Sequence, residues 1–314
     1  MSFLITKNIG LSIVLSNDKR RQGIMREKAY LAVLTGATIG GTGGLFIKAM
    51  SIPASSIACI RMMVPFVLLG GWMWYNRIGF FRGNYKVMLG GSVINAVRMY
   101  LFFAAFIYTS IGNAIIVFYT WPIFGTLLGA TLLKEHITRR QAGLLVLAFA
   151  GIIIAYSNQE FSFDNQDFIG MSAALGSAFL YALTVIIFKT ETPNYTRNEI
   201  IFYQNIIGAL AYIPFLILNE PSPSSMDVTL GISYGLVVGI IGYNFFFFGL
   251  KYLDASRASM LTYVEVVSAV LLGYFVLGEV LDWYMMLGGG CIILSTILLR
   301  LETQNGGANR NQNT

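Results

Sequence analysis

The stretch AIIVFYTWPIFGTLLGATLLKE, residues 114–135, returns as ASMLTYVEVVSAVLLGYFVLGE at residues 258–279. At this constant offset the copies share Ala114/Ala258, Tyr119/Tyr263, Leu127/Leu271, Leu128/Leu272, Gly129/Gly273, Leu133/Leu277 and Glu135/Glu279. Seven identities in 22 aligned positions would mean little between apolar segments rich in Leu and Gly. The shared terminal Glu means more, because charge is scarce in this chain. Each copy ends at Glu, passes through a short polar turn and enters another apolar stretch. Internal duplication of this kind marks many transporters.

The rest of the chain is as apolar as the repeat. Hydrophobic residues make 56% of it and charged residues 11%, with a mean hydropathy of +0.67. A soluble domain carries about 25% charge, so this chain has more apolar surface than one water-soluble core can hide. The expectation is an all-α polytopic membrane protein. Cys59 and Cys291 both fall inside apolar stretches and read as small buried residues rather than a disulfide or metal ligands. A single histidine, His136, leaves no basis for a His-rich metal or catalytic cluster. No phosphate loop, zinc motif or nucleophile elbow occurs, so no cofactor and no metal is expected.

Residues 1–28 read as a tail. The segment LITKNIGLSIVL, residues 4–15, is too short to span a bilayer, and no small-residue cleavage motif follows it, so no signal peptide is expected. Lys19, Arg20, Arg21, Arg26 and Lys28 cluster before the first apolar stretch as a cytosolic anchor. Ten stretches of about 20 residues, the length a bilayer core requires, follow. They run 29–49, 54–75, 86–108, 112–133, 139–157, 167–188, 199–218, 228–250, 256–277 and 281–300. This divides the chain into a first five-helix repeat at 29–157, a second at 167–301 and a C-terminal tail at 302–314.

Charge sets the expected orientation. Of 21 Lys and Arg, 18 fall in the tails and on alternate loops, and Lys48 alone lies on the opposite loops. Those opposite loops carry Glu160, Asp164, Asp167, Glu220, Asp227, Glu279 and Asp282. The positive-inside rule then puts both termini in the cytoplasm, with the chain multi-pass in a bacterial-type inner membrane. The same asymmetry accounts for the pI of 9.2, so no nucleic-acid partner is needed. An odd number of spans per repeat forces the second copy upside down relative to the first. Two inverted halves place a shared cavity near mid-bilayer.

Three formal charges lie well inside the spans: Arg61, Arg98 and Glu265. A charge at a helix centre costs about 2.5–3.5 kcal/mol even on a lenient insertion scale, so such residues face protein or water. Arg98 shares a helical face with Asn95, and Glu265 shares one with Ser259 and Thr262. The expected substrate cavity combines Arg98, Glu265, Asn95, Arg61 and Thr262 with the deep aromatics Tyr119, Trp121, Tyr181 and Tyr263. The alternative is a buried Arg/Glu ion pair that only fixes packing. Gly36, Gly40 and Gly44, spaced by four in the first span, read as a helix-packing face.

The two five-span halves, each with a fourth helix ending in Glu and a Gly-containing fifth, resemble EamA-type members of the drug/metabolite transporter superfamily. The residues that carry the resemblance run from Trp121-Pro122 through Leu133-Lys134-Glu135 to Gly143 and Gly151. In the second half they run from Val264-Glu265 through Leu277-Gly278-Glu279 to Gly288. Arg61, early in the second span, fits the same pattern. The family's second half usually has Glu-Pro where this chain has Glu265-Val266. The resemblance implies secondary transport of small metabolites by alternating access, not an enzyme. Joined to a cavity with one acid and one or two guanidinium groups, it makes export of a neutral amino acid, aromatic side chains favoured, the leading expectation. Nucleotide-sugar or sugar-phosphate exchange is the alternative, and an intramembrane enzyme is a distant third. The expected partners are a small-molecule substrate and the lipid bilayer; the sequence leaves the oligomeric state open.

Overall fold

The computed structural model describes residues 23–310 apart from 110, 158–164, 219 and 279–281. Glu160, Asp164 and Glu279 therefore lie outside the described residues, as do residues 1–22 and 311–314. Every regular element among the described residues is helical. In order these are α1 (Gly23–Ala49), α2 (Ala54–Tyr75), α3 (Tyr85–Tyr108), α4 (Ile111–Phe118), α5 (Trp121–Leu132), α6 (Arg139–Ala155) and α7 (Asn165–Glu191). There follow α8 (Arg197–Ala211), α9 (Ile213–Leu218), α10 (Ser225–Tyr234), a π-helical stretch (Gly235–Gly242), α11 (Tyr243–Tyr252), α12 (Ala255–Leu261), α13 (Val264–Leu277) and α14 (Trp283–Arg310).

Eight of the resulting helical spans are long and apolar enough to cross a membrane. The other two stretches expected to span are helical but short. Of the stretch 139–157, Arg139–Ala155 form α6, of 17 residues. Residues 199–218 form α8 and α9, of 15 and 6 residues, interrupted at Tyr212 just before Pro214. Proline cannot donate a backbone hydrogen bond, so Pro214 leaves the Leu210 carbonyl without its usual helical donor across the break. The first helix also begins at Gly23, inside the expected tail, because Met25, Arg26, Glu27 and Lys28 are good helix formers that extend an apolar helix into water. α14 likewise runs on to Arg310.

Helix starts follow local chemistry. Thr138 with Gln141, Thr196 with Glu199 and Ser224 with Asp227 form capping boxes at α6, α8 and α10. In each, a hydroxyl accepts the N–H three residues on, and that residue's side chain returns to the cap. Outward faces carry large apolar side chains such as Val67, Phe168, Ile217 and Phe275. Buried polar groups face inward, Asn95, Gln204 and Ser177 among them. This inside-out distribution suits lipid as solvent.

Packing is organised by facing helix pairs. α3 lies along α7 and α8, α2 along α8 and the π-helical stretch, α5 along α7 and α12, and α6 along α14. α6 and α14 come close because Gly151 and Gly288 face each other; a Cβ on Gly151 would sit 2.7 Å from the Gly288 carbonyl oxygen. The end rich in Lys and Arg is tied by polar contacts. Arg82 Nη2 pairs with the buried Glu199 at 2.5 Å, Tyr195 donates to the Arg82 carbonyl at 2.6 Å, and Asn84 donates to Glu191 at 3.0 Å. Tyr203 donates to the Phe80 carbonyl. At the same end Lys134 adopts a left-handed φ of 55°, which turns Glu135 back so that its N–H meets the Gly129 carbonyl at 3.0 Å. The Glu135 carboxylate then accepts the N–H groups of Ala255 and Ser256 at the start of α12, at 2.6 and 3.0 Å. Lys189 donates to the carbonyls of Leu250, at 3.1 Å, and of Leu253 at the end of α11.

Candidate functional site

Besides the seventh, four spans lose regular α-helical geometry. α1 is interrupted at Thr42, the fourth span between Phe118 and Trp121, and the ninth between Leu261 and Val264. Each break uses the same local device. The hydroxyls of Thr42, Thr120 and Thr262 donate, each at 2.6 Å, to the carbonyl three residues earlier, on Ile39, Val117 and Ser259. The backbone N–H of the same threonine points at that same carbonyl, at 3.0, 3.1 and 3.2 Å. A hydroxyl competing for a backbone acceptor tightens the turn and breaks the i–4 ladder. The ninth span is therefore interrupted beside Glu265 although Val266 stands where a proline would be. The eighth span widens instead, through the π-helical turns of Gly235–Gly242. Irregular backbone at membrane depth survives only where it is buried in protein or lines a cavity, and π-helical turns concentrate at functional sites.

A cavity of about 140 Å³ lies where these breaks meet. Of the residues expected at the site, Arg61, Arg98, Trp121, Tyr181, Thr262 and Glu265 line it. Asn95, Tyr119 and Tyr263 are not among its lining residues. Asn95 stands behind Arg98: its Oδ1 accepts Arg98 Nε at 3.1 Å while its Nδ2 donates to the Gln204 carbonyl at 2.8 Å. Tyr263 donates to the Tyr119 carbonyl at 3.1 Å, where the two copies of the repeat touch. The lining that single-sequence reasoning left out includes Tyr234, Tyr243, Phe102 and Phe118, with Gly36, Gly40 and Gly242. Tyr243 carries a signal, being a deep hydroxyl on an apolar span. Nothing separates Phe118 from a lipid-facing Phe in sequence. Tyr100, equally deep, is 57% exposed and faces outward.

Each charged group is held by a different part of the fold. The Arg98 guanidinium lies 4.6 Å over the Tyr181 ring, and its Nη2 donates to Met99 Sδ at 2.9 Å. α3 is fixed beneath it by Ser177 Oγ, which donates to the Arg98 carbonyl at 3.0 Å, and by the Tyr212 hydroxyl on the Ala96 carbonyl at 3.1 Å. Arg61 stacks on two rings, 5.4 Å from Tyr234 and 5.5 Å from Tyr243, and its buried Nε has no hydrogen-bond partner. Glu265 is brought in by α13, which Ser268 ties to α1 through the Thr38 carbonyl at 2.8 Å. Its carboxylate rests on Gly40: a Cβ there would lie 3.0 Å from Cδ and from Oε1. Neither guanidinium comes within 4.0 Å of the Glu265 carboxylate. The cavity therefore holds three separated charges over aromatic walls, and no ion pair. Among the described residues no three His, Cys, Asp or Glu side chains gather as a metal site would require.

The sequence profile of the EamA-like transporter family matches residues 27–157 and again residues 168–301. The chain belongs to the EamA-like transporter family. Its relatives are named as transporters, not enzymes. An uncharacterized transporter of Archaeoglobus fulgidus is 23% identical over 268 residues, 85% of this chain and 94% of that one. Solute carrier family 35 member G1 of Mus musculus is 23% identical, over 83% of this chain and 74% of that one. The S-adenosylmethionine uptake transporter of Rickettsia conorii is 26% identical, over 63% of this chain and 65% of its own. A crystal structure with 18% sequence identity superposes with a TM-score of 0.77 over 89% of this chain and 98% of that one. This EamA-type protein is thus a multi-pass membrane transporter of all-helical fold.

Proposed function

We propose that the protein is a secondary transporter that carries a zwitterionic, amino-acid-type metabolite out of the cell by alternating access. The carrying observation is the separation of Arg98 and Glu265 in one cavity without an ion pair. Buried charges that do not neutralise each other need a partner. A zwitterion supplies an ammonium for Glu265 and a carboxylate for the forked donors of Arg98. Trp121, Tyr181 and Phe118 offer apolar and stacking area to its side chain, so aromatic side chains are favoured. The Rickettsia relative, named for uptake of S-adenosylmethionine, agrees only in that its cargo is an amino-acid derivative.

The two halves, 29–157 and 167–301, rock about the cavity as inverted five-helix repeats. Helix packing supports this. The second span packs on the seventh (α2 on α8), the fourth on the ninth (α5 on α12) and the fifth on the tenth (α6 on α14). Three of the five helices in each half thus meet their own counterparts, as helices lying next to a two-fold axis in the membrane plane would. Both termini lie in the cytoplasm and the membrane is the bacterial inner membrane, by the basic-residue asymmetry.

The test is exchange in liposomes holding the purified protein and preloaded with labelled phenylalanine, tryptophan, leucine or glutamate. Release driven by external amino acid, absent from protein-free liposomes, is the expected result. Release of none of them overturns the reading. A second reading, nucleotide-sugar or sugar-phosphate exchange, draws on the presence of two guanidinium groups in one cavity. It takes first place if sugar phosphates exchange and amino acids do not.

A further inference from the structure

A neutral zwitterion does not balance this cavity. Arg61 and Arg98 bring two positive charges and Glu265 one negative, and among the described residues no other Lys, Arg, Asp or Glu lines the space. A bound neutral amino acid leaves the sum at plus one, whichever way it lies. Arg61 is the group left over. It is 7% exposed, stacked on Tyr234 and Tyr243, with its Nε unsatisfied and, among the described residues, no carboxylate within 4.0 Å. The rings hold the guanidinium plane and the Tyr243 and Tyr234 hydroxyls lie at its N–H groups, but neither hydroxyl is an anion. Arg98 has its own set of partners, Asn95 and Met99 to fix it and Tyr181 to stack on. The two arginines come from different helices and rest on different tyrosines, so the cavity has two cationic stations. A guanidinium is always charged and cannot escape burial by losing its proton. Something anionic must complete it.

We infer that Arg61 is a second anion subsite and that the preferred substrate is an amino dicarboxylate: one ammonium and two carboxylates, net charge minus one. This rests on the amino-acid reading above and, within it, puts an acidic side chain in place of the aromatic one as the preferred cargo. The α-carboxylate meets Arg98, the ammonium meets Glu265, and the second carboxylate meets Arg61 between Tyr234 and Tyr243. Two charge-assisted contacts then neutralise a cavity that a neutral amino acid leaves cationic.

The experiment is counterflow into liposomes holding the full chain, at equal concentrations of glutamate, aspartate, phenylalanine and succinate, with and without chloride. Glutamate or aspartate should exceed phenylalanine and succinate at least tenfold. Arg61→Gln should lower the ratio of dicarboxylate to phenylalanine uptake at least tenfold, the scale of one lost charge-assisted hydrogen bond. Phenylalanine moving as well as glutamate overturns the subsite and leaves the amino-acid reading standing. Phenylalanine transport that requires chloride overturns it too, by giving Arg61 an inorganic partner. Movement of none of the three amino acids overturns both readings. Should Arg61→Gln fail to insert, the wild-type ratio decides, and Arg61→Lys serves as the second variant. Lys keeps the charge but loses the fork, and an unchanged ratio there, with the wild type showing no preference, counts against the subsite.

Discussion

Tyr263 donates its hydroxyl to the backbone carbonyl of Tyr119 at 3.1 Å, and these two residues occupy the same position in the two copies of the repeat. Their rings lie 6.4 Å apart. The contact has a local cause. The break after Phe118 gives the Ile123 N–H to the Thr120 carbonyl instead, so the Tyr119 carbonyl has lost its usual helical donor. Tyr263 replaces it. Tyr263→Phe leaves a buried carbonyl unsatisfied, which costs about 1–3 kcal/mol. A lowered thermal midpoint in detergent, with the fold retained, is the expected measurement. An unchanged midpoint means the carbonyl finds another donor.

Gly40 and Gly44 should part company. A Cβ on Gly40 meets the Glu265 carboxylate at 3.0 Å, whereas one on Gly44 meets nothing within 4 Å. Gly40→Ala should cut transport several-fold with little loss of stability, because the end of a flexible side chain yields and the helix gains up to about 1 kcal/mol in propensity. Gly44→Ala should transport normally and be slightly more stable. Equal transport by both variants would remove Gly40 from the site.

Glu265→Gln keeps the shape and loses the charge. It should insert and fold, as judged by a monodisperse elution profile, and transport at least tenfold more slowly. The position aligns with Trp121 in the first copy, so the repeat's packing does not call for an acid there. Wild-type rates at equal expression would return Glu265 to a structural role.

The Glu135 carboxylate closes the basic end by capping α12, and Lys189 lies 3.9 Å away on the C-terminal side of α11. Glu135→Ala removes charge-assisted hydrogen bonds together worth about 1.5–3 kcal/mol. It should therefore populate conformers open at that end. With Cys59 and Cys291 replaced and Ser259→Cys as reporter, an impermeant maleimide should label inverted vesicles several-fold faster than it does without Glu135→Ala. No change in labelling would show that the cap does not gate.

Orientation has its own test. A C-terminal alkaline phosphatase fusion should be inactive and a fluorescent-protein fusion bright. Active phosphatase would overturn both the orientation and the inverted repeat with it.

Sequence alone determined the solvent of this fold, its helical class and its family. Spans of about 20 apolar residues can satisfy their backbone in lipid only as helices, and the scarcity of charge singled out Arg61, Arg98 and Glu265. The capping boxes at Thr138, Thr196 and Ser224 were equally legible, because they depend on neighbours three residues apart. Tertiary structure decided the rest. Whether Arg98 and Glu265 pair or stand apart depends on how α3 and α13 seat against other helices, which no local pattern encodes. Gly36, Gly40 and Gly44 look alike in the chain, yet they meet a backbone carbonyl, a carboxylate and open space. The break beside Glu265 needed no proline, because Thr262 could take the Ser259 carbonyl instead. That choice is made by hydroxyl geometry within a packed bundle, and in sequence Thr262 is only another threonine in an apolar span.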